Sequence, residues 1–344
     1  MNKPSNKILR SFGIEKARLE PFGTGLMNET WLITIPEGER LVLQRLHSIF
    51  PAEINQDINA VTHHLSAKGL STPRILPTLK GSLSEEDQGV WRMMTYIDGV
   101  SRDAIENAEQ AKQVGALLAR FHHAVSDLDY NFRNARLGVH DTARHIDTLK
   151  NALLDYKNHL HFKKIKALAE EVLHLVDELP ALPELADRIV HGDPKISNVI
   201  FDSKTDEAIC LIDLDTLTRM PVILELGDAM RSWCNLSTED DLSSNFSLKI
   251  FKAAVEGYGQ CVPNFLHEKE WRTIPDATLT ITVELATRFC TDALVENYFR
   301  WNPHRFQSCS EHNQARTNGQ LSMARSICAQ YQSMHEIVEK TFNA

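Results

Sequence analysis

Apolar and polar residues alternate in the first part of the chain, which is the pattern of half-buried β-strands. Strands are predicted over three stretches, around Leu19 to Phe22, from Thr30 to Ile35 and from Leu41 to Leu46. The turn PEGER between the last two is typical of an antiparallel hairpin. A helix follows from about Glu53 to Lys68 and ends at Gly69. Two further strands are expected in RILPTL and GVWRMMTYI, so this part should form a small sheet with one helix.

Beyond Ser101 the apolar period changes from that of a strand to that of a helix. One stripe of this kind comprises Val114, Leu117, Leu118, Phe121 and Val125. Further helices are predicted over about Asp141–His159, Phe162–Glu178, Phe246–Tyr258, Ala277–Phe299 and Asn313–Phe342. Near residues 188–213 the runs DRIV, NVIF and AICLI interrupt them with strand character. The expected fold class is α+β, with a small antiparallel-sheet lobe at residues 1–98 and a larger, mainly helical lobe at residues 99–344, joined at a hinge.

Composition narrows the class of partner. The 344-residue chain has room for two lobes, and its formal net charge is −9 with no long run of Lys or Arg. A nucleic acid or an anionic membrane surface is therefore not the expected partner, which leaves a small molecule or another protein. The six cysteines form no C-x-x-C pair, so reduced thiols are expected. Without a secretory signal or a stretch of roughly 18 apolar residues, the expected location is the cytoplasm.

Candidate chemistry begins at residues 190–201, VHGDPKISNVIF. Here His191, Asp193 and Asn198 have the H-x-D-x-x-x-x-N spacing of a kinase catalytic loop. The next segment, NVIFDSKTDEAICLIDLDT, resembles a hairpin whose second strand ends at Asp213, which would return that carboxylate close to Asn198. The alternative is a plain strand–turn–strand, in which HGDP holds a buried histidine and an aspartate that caps its own backbone. The asparagine, the flanking strands and the second aspartate together favour the kinase interpretation.

Phosphoryl transfer requires an oriented nucleophile and neutralised phosphates more than covalent help from the protein. Asp193 would accept the proton of the acceptor hydroxyl, and Asn198 and Asp213 would be oxygen ligands of Mg²⁺, a hard cation suited to them. Lys195, close after the base, could reach the γ-phosphate. Asp193, Asp213, Asp215 and Asp228 lie within 36 positions, so either a metal binds there or these carboxylates do not converge on one site.

The hairpin PFGTGLMNETWLI is the second candidate, because Gly23 and Gly25 would let backbone N–H groups approach phosphates. A lone G-x-G is a weak signal, and Asn28 stands where a third glycine is expected, so an ordinary hairpin turn is the alternative. The position on the first hairpin, ahead of the catalytic loop, favours phosphate binding.

The third strand, LVLQRLHS, carries Gln44 at the place of the kinase lysine that contacts the α- and β-phosphates. Arg45 faces the other side of the strand and is a poor substitute. Phosphate positioning would then depend on the metal, Lys195 and backbone donors.

Together these segments resemble the aminoglycoside phosphotransferase and choline kinase branch of the protein-kinase-like fold, and within it bacterial N-acetylhexosamine 1-kinases most closely. The resemblance covers nearly the whole chain and rests on the ordered segments GTGLMNETWLI, LVLQRLHSIF, WRMMTYIDG, GVHDTARHIDTLKNAL, HGDPKISNVIFD, CLIDLDT, LGDAMR, TRFCTDAL and EHNQAR. It implies a bilobal protein-kinase-like fold, ATP and Mg²⁺ as cofactors, and phosphorylation of the anomeric hydroxyl of an N-acetylhexosamine to give a hexosamine 1-phosphate.

The resemblance also implies roles for individual residues. Asp193 is similar to the family's catalytic base, and Asn198 and Asp213 are similar to its metal ligands. Arg288, in TRFCTDAL, resembles an arginine that faces the sugar, and Asn28 is a second substrate candidate. Contacts with the nucleotide are implied for Gly23, Gly25, Gln44, Met94, Thr95, Tyr96 and Ile97.

His191 and Asp228 look structural in this family, bracing the catalytic loop and the segment after the second metal ligand. Gln44 departs from the general kinase pattern but not from this subgroup. The main departure from the subgroup is LTRMPVILELGDAM, where Arg219 and Met220 replace an expected shorter turn that contains glycine. Because this segment belongs to the substrate side, it bears on the identity of the sugar more than on the type of reaction.

Two alternatives remain. The first is a kinase for another hydroxyl compound, such as an aminoglycoside, choline or a different sugar. The second is a pseudokinase that binds without turnover, suggested by Gln44 and the incomplete glycine loop. The joint presence of Asp193, Lys195, Asn198 and Asp213 favours an active kinase, since a protein that only binds has no need of a base. The sugar, its anomer and the oligomeric state are not fixed by the sequence.

Overall fold

The computed structural model of the chain describes residues 3–23, 27–134, 139–237 and 240–343. Its N-terminal strands are β1 (Arg18–Pro21), β2 (Glu29–Thr34), β3 (Arg40–Arg45), β4 (Ile75–Leu76), β5 (Glu85–Glu86) and β6 (Val90–Thr95). They form one antiparallel sheet in the order β1-β2-β3-β6-β4, with β5 paired to β6. The antiparallel sheet expected from the alternating pattern is thus confirmed.

The two faces of this sheet have different neighbours, because side chains alternate along each strand. The buried side chains of one face are Trp31, Ile33, Leu41, Leu43 and Met93. They pack against Ile8 and Leu9 of a short helix, α1 (Asn6–Ser11), which begins with a hydrogen bond from Ile8 N to Ser5 Oγ. This helix was not predicted, since six residues are too few to show a helical period, so the lobe has two helices where one was expected.

The predicted helix of the N-terminal lobe is α2 (Ile54–Ala67). Its Ile58, Val61 and Leu65 are buried in the main core, which extends into the C-terminal lobe. Asp57 on this helix is also buried, and its carboxylate accepts from the backbone N–H groups of Arg133 and Asn134, both at 2.9 Å. The buried acid of α2 is therefore bonded to the C-terminal lobe and not to the sheet.

The C-terminal lobe is mainly helical, as predicted. Its helices are α3 (Ala108–Val125), α4 (Thr142–Asp155), α5 (Phe162–Asp177), α6 (Val222–Trp233), α7 (Leu248–Cys261), α8 (Glu268–Trp271), α9 (Ile274–Val295) and α10 (Cys309–Phe342). Helix α9 is buried on nearly all sides because α4, α5, α6 and α10 pack around it. The long helices lie within a few residues of their predicted ends, whereas α6 and α8 were not predicted.

Two short ladders position the loops of interest. One contains β7 (Val100–Ser101), β9 (Val199–Phe201) and β10 (Ala208–Leu211), in the order β10-β9-β7. Gly99, just before β7, lies so close to this ladder that an added Cβ would be 2.4 Å from Phe201 O. Only glycine therefore lets the segment after β6 contact the hairpin that follows the predicted catalytic loop.

The second ladder explains the departure at Arg219 and Met220. It pairs β8 (Asp187–Val190) with β11 (Thr218–Pro221), placing Arg219 opposite Ile189 and Met220 opposite Arg188. A strand therefore occupies the place of the expected turn. Pro221 ends this strand and precedes α6, where its fixed φ of −54° is compatible with a helix start.

The six cysteines all carry free thiols. Among the residues that the structure describes, no helix is both long enough and apolar enough to cross a bilayer.

Candidate active site

The predicted catalytic loop connects β8 to β9 and is held tightly at its start. Gly192 has φ +84°, and an added Cβ would lie 2.2 Å from Thr216 O, so glycine is required there. Thr216 Oγ1 also donates to His191 O at 3.0 Å. These contacts fix the loop against the turn that follows Asp213.

His191 links the loop to the end of β10. Its Nε2 lies 2.9 Å from Ile212 O, and its Nδ1 lies 3.3 Å from Asp193 N. Burial lowers the pKa of His191, so the imidazole is neutral, donates through Nε2 and accepts through Nδ1. The histidine thus has the bracing contacts that the resemblance implied.

The buried acid that anchors the loop is Glu225 on α6, which sequence reasoning missed. Its carboxylate is fully buried and accepts from Gly192 N at 2.8 Å and from His191 N at 3.2 Å. His122 Nε2 lies 2.6 Å from the same carboxylate, and Tyr258 Oη lies 2.7 Å from His122 Nδ1. A lone acid in the first turn of an apolar segment, VILELGDAM, was the available signal.

Asp228, expected to brace the segment after the second metal ligand, is bonded instead within its own helix. Its carboxylate lies 2.9 Å from Arg231 Nε. Burial alone would raise the pKa of Asp228, but the charges of Arg231, His140 and Arg288 hold that pKa below its usual value. In the described structure, Glu225 rather than Asp228 is the acid hydrogen-bonded to the loop backbone.

Asp193, Lys195 and Asn198 form the centre of the loop. Lys195 Nζ lies 2.5 Å from Asp193 Oδ2, and Asn198 Nδ2 lies 3.1 Å from the same oxygen. Asn198 Nδ2 also donates to Asp193 O at 2.8 Å, which orients the amide. The candidate base is therefore a partly exposed carboxylate with a cation and an amide donor on one oxygen.

Asp213 lies beside this group, as the hairpin spacing predicted. Leu211 pairs with Val199, and Ile212 N donates to Asn198 O at 2.9 Å, which brings the end of β10 to the asparagine. Asp213 adopts the left-handed conformation, with φ 64° and ψ 56°. The side chain is open to solvent, yet the surrounding protein and the neighbouring Asp215 carboxylate raise the pKa of Asp213 to about 6.

This donor set is suited to a divalent cation. Within the described residues, the Asp213 carboxylate has no hydrogen bond or ion pair with another side chain. Asn198 donates from Nδ2 to Asp193, so its Oδ1 is the atom that could bind a cation. A cation would stabilise the ionised carboxylate against the desolvation and the Asp215 charge that raise the Asp213 pKa. No group of three or more His, Cys, Asp or Glu side chains in the described ranges could hold a metal, so further ligands would be phosphate oxygens and water.

The wall opposite the loop contains a network that sequence reasoning did not find. Gln44 on β3 lies between Thr30 on β2 and Arg92 on β6, and all three side chains share one face of the sheet. Arg92 donates to Gln44 Oε1 from Nε at 2.9 Å and from Nη2 at 2.6 Å. Its Nη1 lies 2.5 Å from Asp215 Oδ1, and Asn28 Nδ2 donates to Asp215 Oδ2 at 2.6 Å. Gln44 and Asn28 thus have protein partners in this wall.

The predicted nucleotide contacts lie at the end of β6. Phe22 and Tyr96 rings are 5.9 Å apart, which places the start of the glycine hairpin at Gly23 next to the segment after β6. Thr95 N already donates to Arg74 O at 2.9 Å. Gly25 lies outside the described residues.

Arg288 belongs to a separate cluster on α9. Its Nη2 donates to Tyr298 Oη at 3.4 Å, and its guanidinium lies 5.6 Å from the Phe299 ring centroid. Helix α6 interacts with both this cluster and the loop. The Arg288 charge lowers the pKa of Asp228, and Trp233 Nε1 donates to Pro194 O at 2.8 Å. No contact joins Arg288 to Asp193 within the described residues.

Comparison with known proteins bears on the family and the fold of this chain. The sequence profile of the phosphotransferase enzyme family matches residues 18–246, which include the candidate catalytic loop and the Gln44–Arg92 network but not Arg288. A homoserine kinase of Agrobacterium fabrum is 29% identical over 215 residues, which is 62% of this chain and 61% of that protein. The match therefore spans less than two thirds of the relative.

Solved structures extend the likeness to the whole fold. An aminoglycoside phosphotransferase from Alicyclobacillus acidocaldarius has a TM-score of 0.63 at 14% identity, covering 99% of this chain and 98% of its own. Amicoumacin kinase, in complex with AMP-PNP and Ca²⁺, has a TM-score of 0.57 at 16% identity, covering 86% and 87%. These similarities confirm the kinase-like fold expected from the sequence.

Proposed function

The chain belongs to the phosphotransferase enzyme family, and from that premise we propose that it is an ATP- and Mg²⁺-dependent small-molecule kinase. We further propose that its acceptor is the anomeric hydroxyl of an N-acetylhexosamine, giving a hexosamine 1-phosphate. The observation that carries the proposal is that Asp193, Lys195, Asn198 and Asp213 lie close together. A protein that only binds has no need of the base that Asp193 would supply.

Asp193 is the proposed general base. Its carboxylate would accept the proton of the acceptor hydroxyl as the oxygen attacks the γ-phosphorus, the bond from that phosphorus to the β,γ-bridging oxygen breaks, and ADP leaves. Asn198 would hold the carboxylate in place. Lys195, which contacts the same carboxylate, would pass from Asp193 to the transferring phosphoryl group.

Asn198 Oδ1 and the Asp213 carboxylate are the proposed ligands of Mg²⁺. When bound, the ion neutralises phosphate charge and fixes the phosphates for in-line transfer. The chain's own contribution is the strand pairing of Val199 with Leu211, which sets the spacing of the two ligands. The left-handed backbone of Asp213 turns its side chain out of the ladder.

The nucleotide would bind between the glycine hairpin and the segment after β6. Since Thr95 N is already used, the backbone groups of Tyr96 and Ile97, with the Met94 side chain, are the proposed adenine contacts. Gly23 and Gly25 would lie over the phosphates. The proposed lobes are residues 1–98 and 99–344, with a hinge at Asp98–Gly99 that would let them close.

The acceptor would bind on the side of Arg288, where Tyr298 and Phe299 offer aromatic faces. The partial match to a homoserine kinase favours a second candidate, the hydroxyl of an amino acid such as homoserine. Both acceptors require the same base and metal ligands, so they differ only in what contacts Arg288.

The test is an ATP-consumption screen with Mg²⁺ over N-acetylglucosamine, N-acetylgalactosamine, homoserine, choline and aminoglycosides, with Asp193→Asn as control. Turnover of an N-acetylhexosamine that is lost in the variant supports the proposal. Turnover of homoserine alone selects the second candidate. No turnover of any acceptor despite Mg²⁺-ATP binding would identify a pseudokinase.

A further inference from the structure

We propose that Arg92 is a positioning residue for the metal-binding turn, and that its ion pair with Asp215 replaces the lysine–glutamate pair of other kinases. In protein kinases that pair joins the third strand to a helix and must be in place for activity. The inference rests on the proposed function, because it concerns how the Mg²⁺ ligand Asp213 is held.

The usual lysine position cannot provide the charge here. Gln44 occupies it, and its side chain is engaged with Thr30 at 3.1 Å and with Arg92. Gln44 and Arg92 are directly opposite each other on β3 and β6. The positive side chain therefore lies one strand further across the sheet than the usual lysine. It still lies on the face that carries Gln44.

The usual helix cannot provide the acid. Asp57, the buried acid of α2, is committed to backbone N–H groups at residues 133 and 134 and to Tyr130 Oη at 2.8 Å. Asp215 takes its place, with side-chain exposures of 2% for both Arg92 and Asp215. A buried pair of this kind is fixed, since separating it would leave an uncompensated charge.

Asp215 connects this pair to the metal site. It lies in the 3₁₀ turn Leu214–Thr216, for which Asp213 is the N-terminal cap residue. Arg92 and Asn28 hold both carboxylate oxygens of Asp215 and thereby attach the turn to β6 and to the start of β2. The unusual backbone of Asp213 is therefore fixed by contacts from the other lobe.

The test measures nucleotide affinity by calorimetry, with Mg²⁺ and separately with EDTA, so that it does not depend on the acceptor. Arg92→Met is expected to weaken binding of Mg²⁺-ATP about 10- to 100-fold, the usual cost of losing a residue that orients a metal ligand. Binding of metal-free ATP should change little. Arg92→Lys keeps the charge but not the three guanidinium nitrogens that donate to Gln44 and Asp215, so it should recover part of the loss.

The control is Arg45→Met. Arg45 is adjacent to Gln44 on β3 but faces away from the network, where it pairs with Glu29 at 3.6 Å. The Arg45→Met variant should bind Mg²⁺-ATP with the affinity of the wild type. If Arg92→Met does not fold, the double variant Arg92→Met with Asp215→Asn removes both charges, and the introduced amide can still accept from Asn28.

Unchanged Mg²⁺-ATP affinity in a folded Arg92 variant would overturn the inference and leave the proposed function standing. An equal loss with and without Mg²⁺ would also overturn it, because Arg92 would then contact phosphate directly. A wild-type protein that binds no Mg²⁺-ATP would overturn the proposed function and the inference together.

Discussion

Two ion pairs lie near Asp213, Lys195–Asp193 and Arg92–Asp215. They differ in burial and not in the distance between the charged atoms. Lys195 Nζ and Asp193 Oδ2 are 2.5 Å apart, with side-chain exposures of 39% and 27%. Arg92 Nη1 and Asp215 Oδ1 are also 2.5 Å apart, with exposures of 2% and 2%. Equal distances therefore describe a solvated pair in the catalytic loop and a buried pair in the opposite wall.

The difference in burial determines how much free energy it would cost to separate each pair. Water and salt screen the partly exposed pair, so separating Lys195 from Asp193 would cost little free energy. Separating the buried pair would cost more, because each partner would remain charged in a poorly solvated environment. The first arrangement suits groups that change partners during a reaction, and the second suits a fixed support.

The largest expected effect is on kcat and comes from Asp193, in the partly exposed Lys195–Asp193 pair. Asp193→Asn should lower kcat by about 10²- to 10⁴-fold, because it removes the proposed base. Mg²⁺-ATP affinity should remain near that of the wild type, since Asp193 is not a proposed metal ligand. Steady-state kinetics and calorimetry on the same preparations measure the two quantities. Turnover unaffected by this change would mean that the base is another group.

The buried Arg92–Asp215 pair should have a large effect on the free energy of unfolding. Arg92→Met should lower the free energy of unfolding by about 3–5 kcal/mol, because Asp215 would keep a buried and unpaired charge. Urea denaturation followed by circular dichroism measures this change. A loss below about 1 kcal/mol would show that water reaches Asp215 and that the pair is not a fixed support.

A charge added beside the buried pair should be unfavourable. Gln44→Lys restores the residue usual in kinases, but it removes the oxygen that accepts two Arg92 donors and puts a like charge opposite the guanidinium. We expect about 1–3 kcal/mol of lost stability and no gain in kcat. Gln44→Glu, which retains the acceptor, is the matched control. A large rise in activity would instead identify a decayed kinase site.

The smallest expected change in stability is that of Lys195→Ala. Removing one member of a solvated pair should alter the free energy of unfolding by no more than about 1 kcal/mol. Its kcat should nevertheless fall severely, because Lys195 is the proposed cation at the transferring phosphate. Stability and kcat measured together separate the two roles, and a nearly normal kcat would count against Lys195 as that cation.

Much of the candidate site could be predicted because its members are close in sequence. The bonds of Asp193 to Lys195 and Asn198 span two and five positions. One hairpin then returns Asp213 to Asn198, so strand geometry alone places the second of the two proposed metal ligands. Helix α6 was missed although it contributes Glu225, because its apolar residues directly follow a strand and show no clear change of period.

The sequence by itself determined the catalytic-loop spacing, the antiparallel sheet and the mainly helical second lobe, since local periodicity and short spacings specify them. Only the tertiary structure decided which residues hold the turn that carries the proposed metal ligand Asp213. Arg92 and Asp215 are 123 positions apart, and Asn28 and Asp215 are 187 apart. Such pairs depend on strand order and on the packing of one lobe against the other, and neither is encoded in a short stretch of sequence.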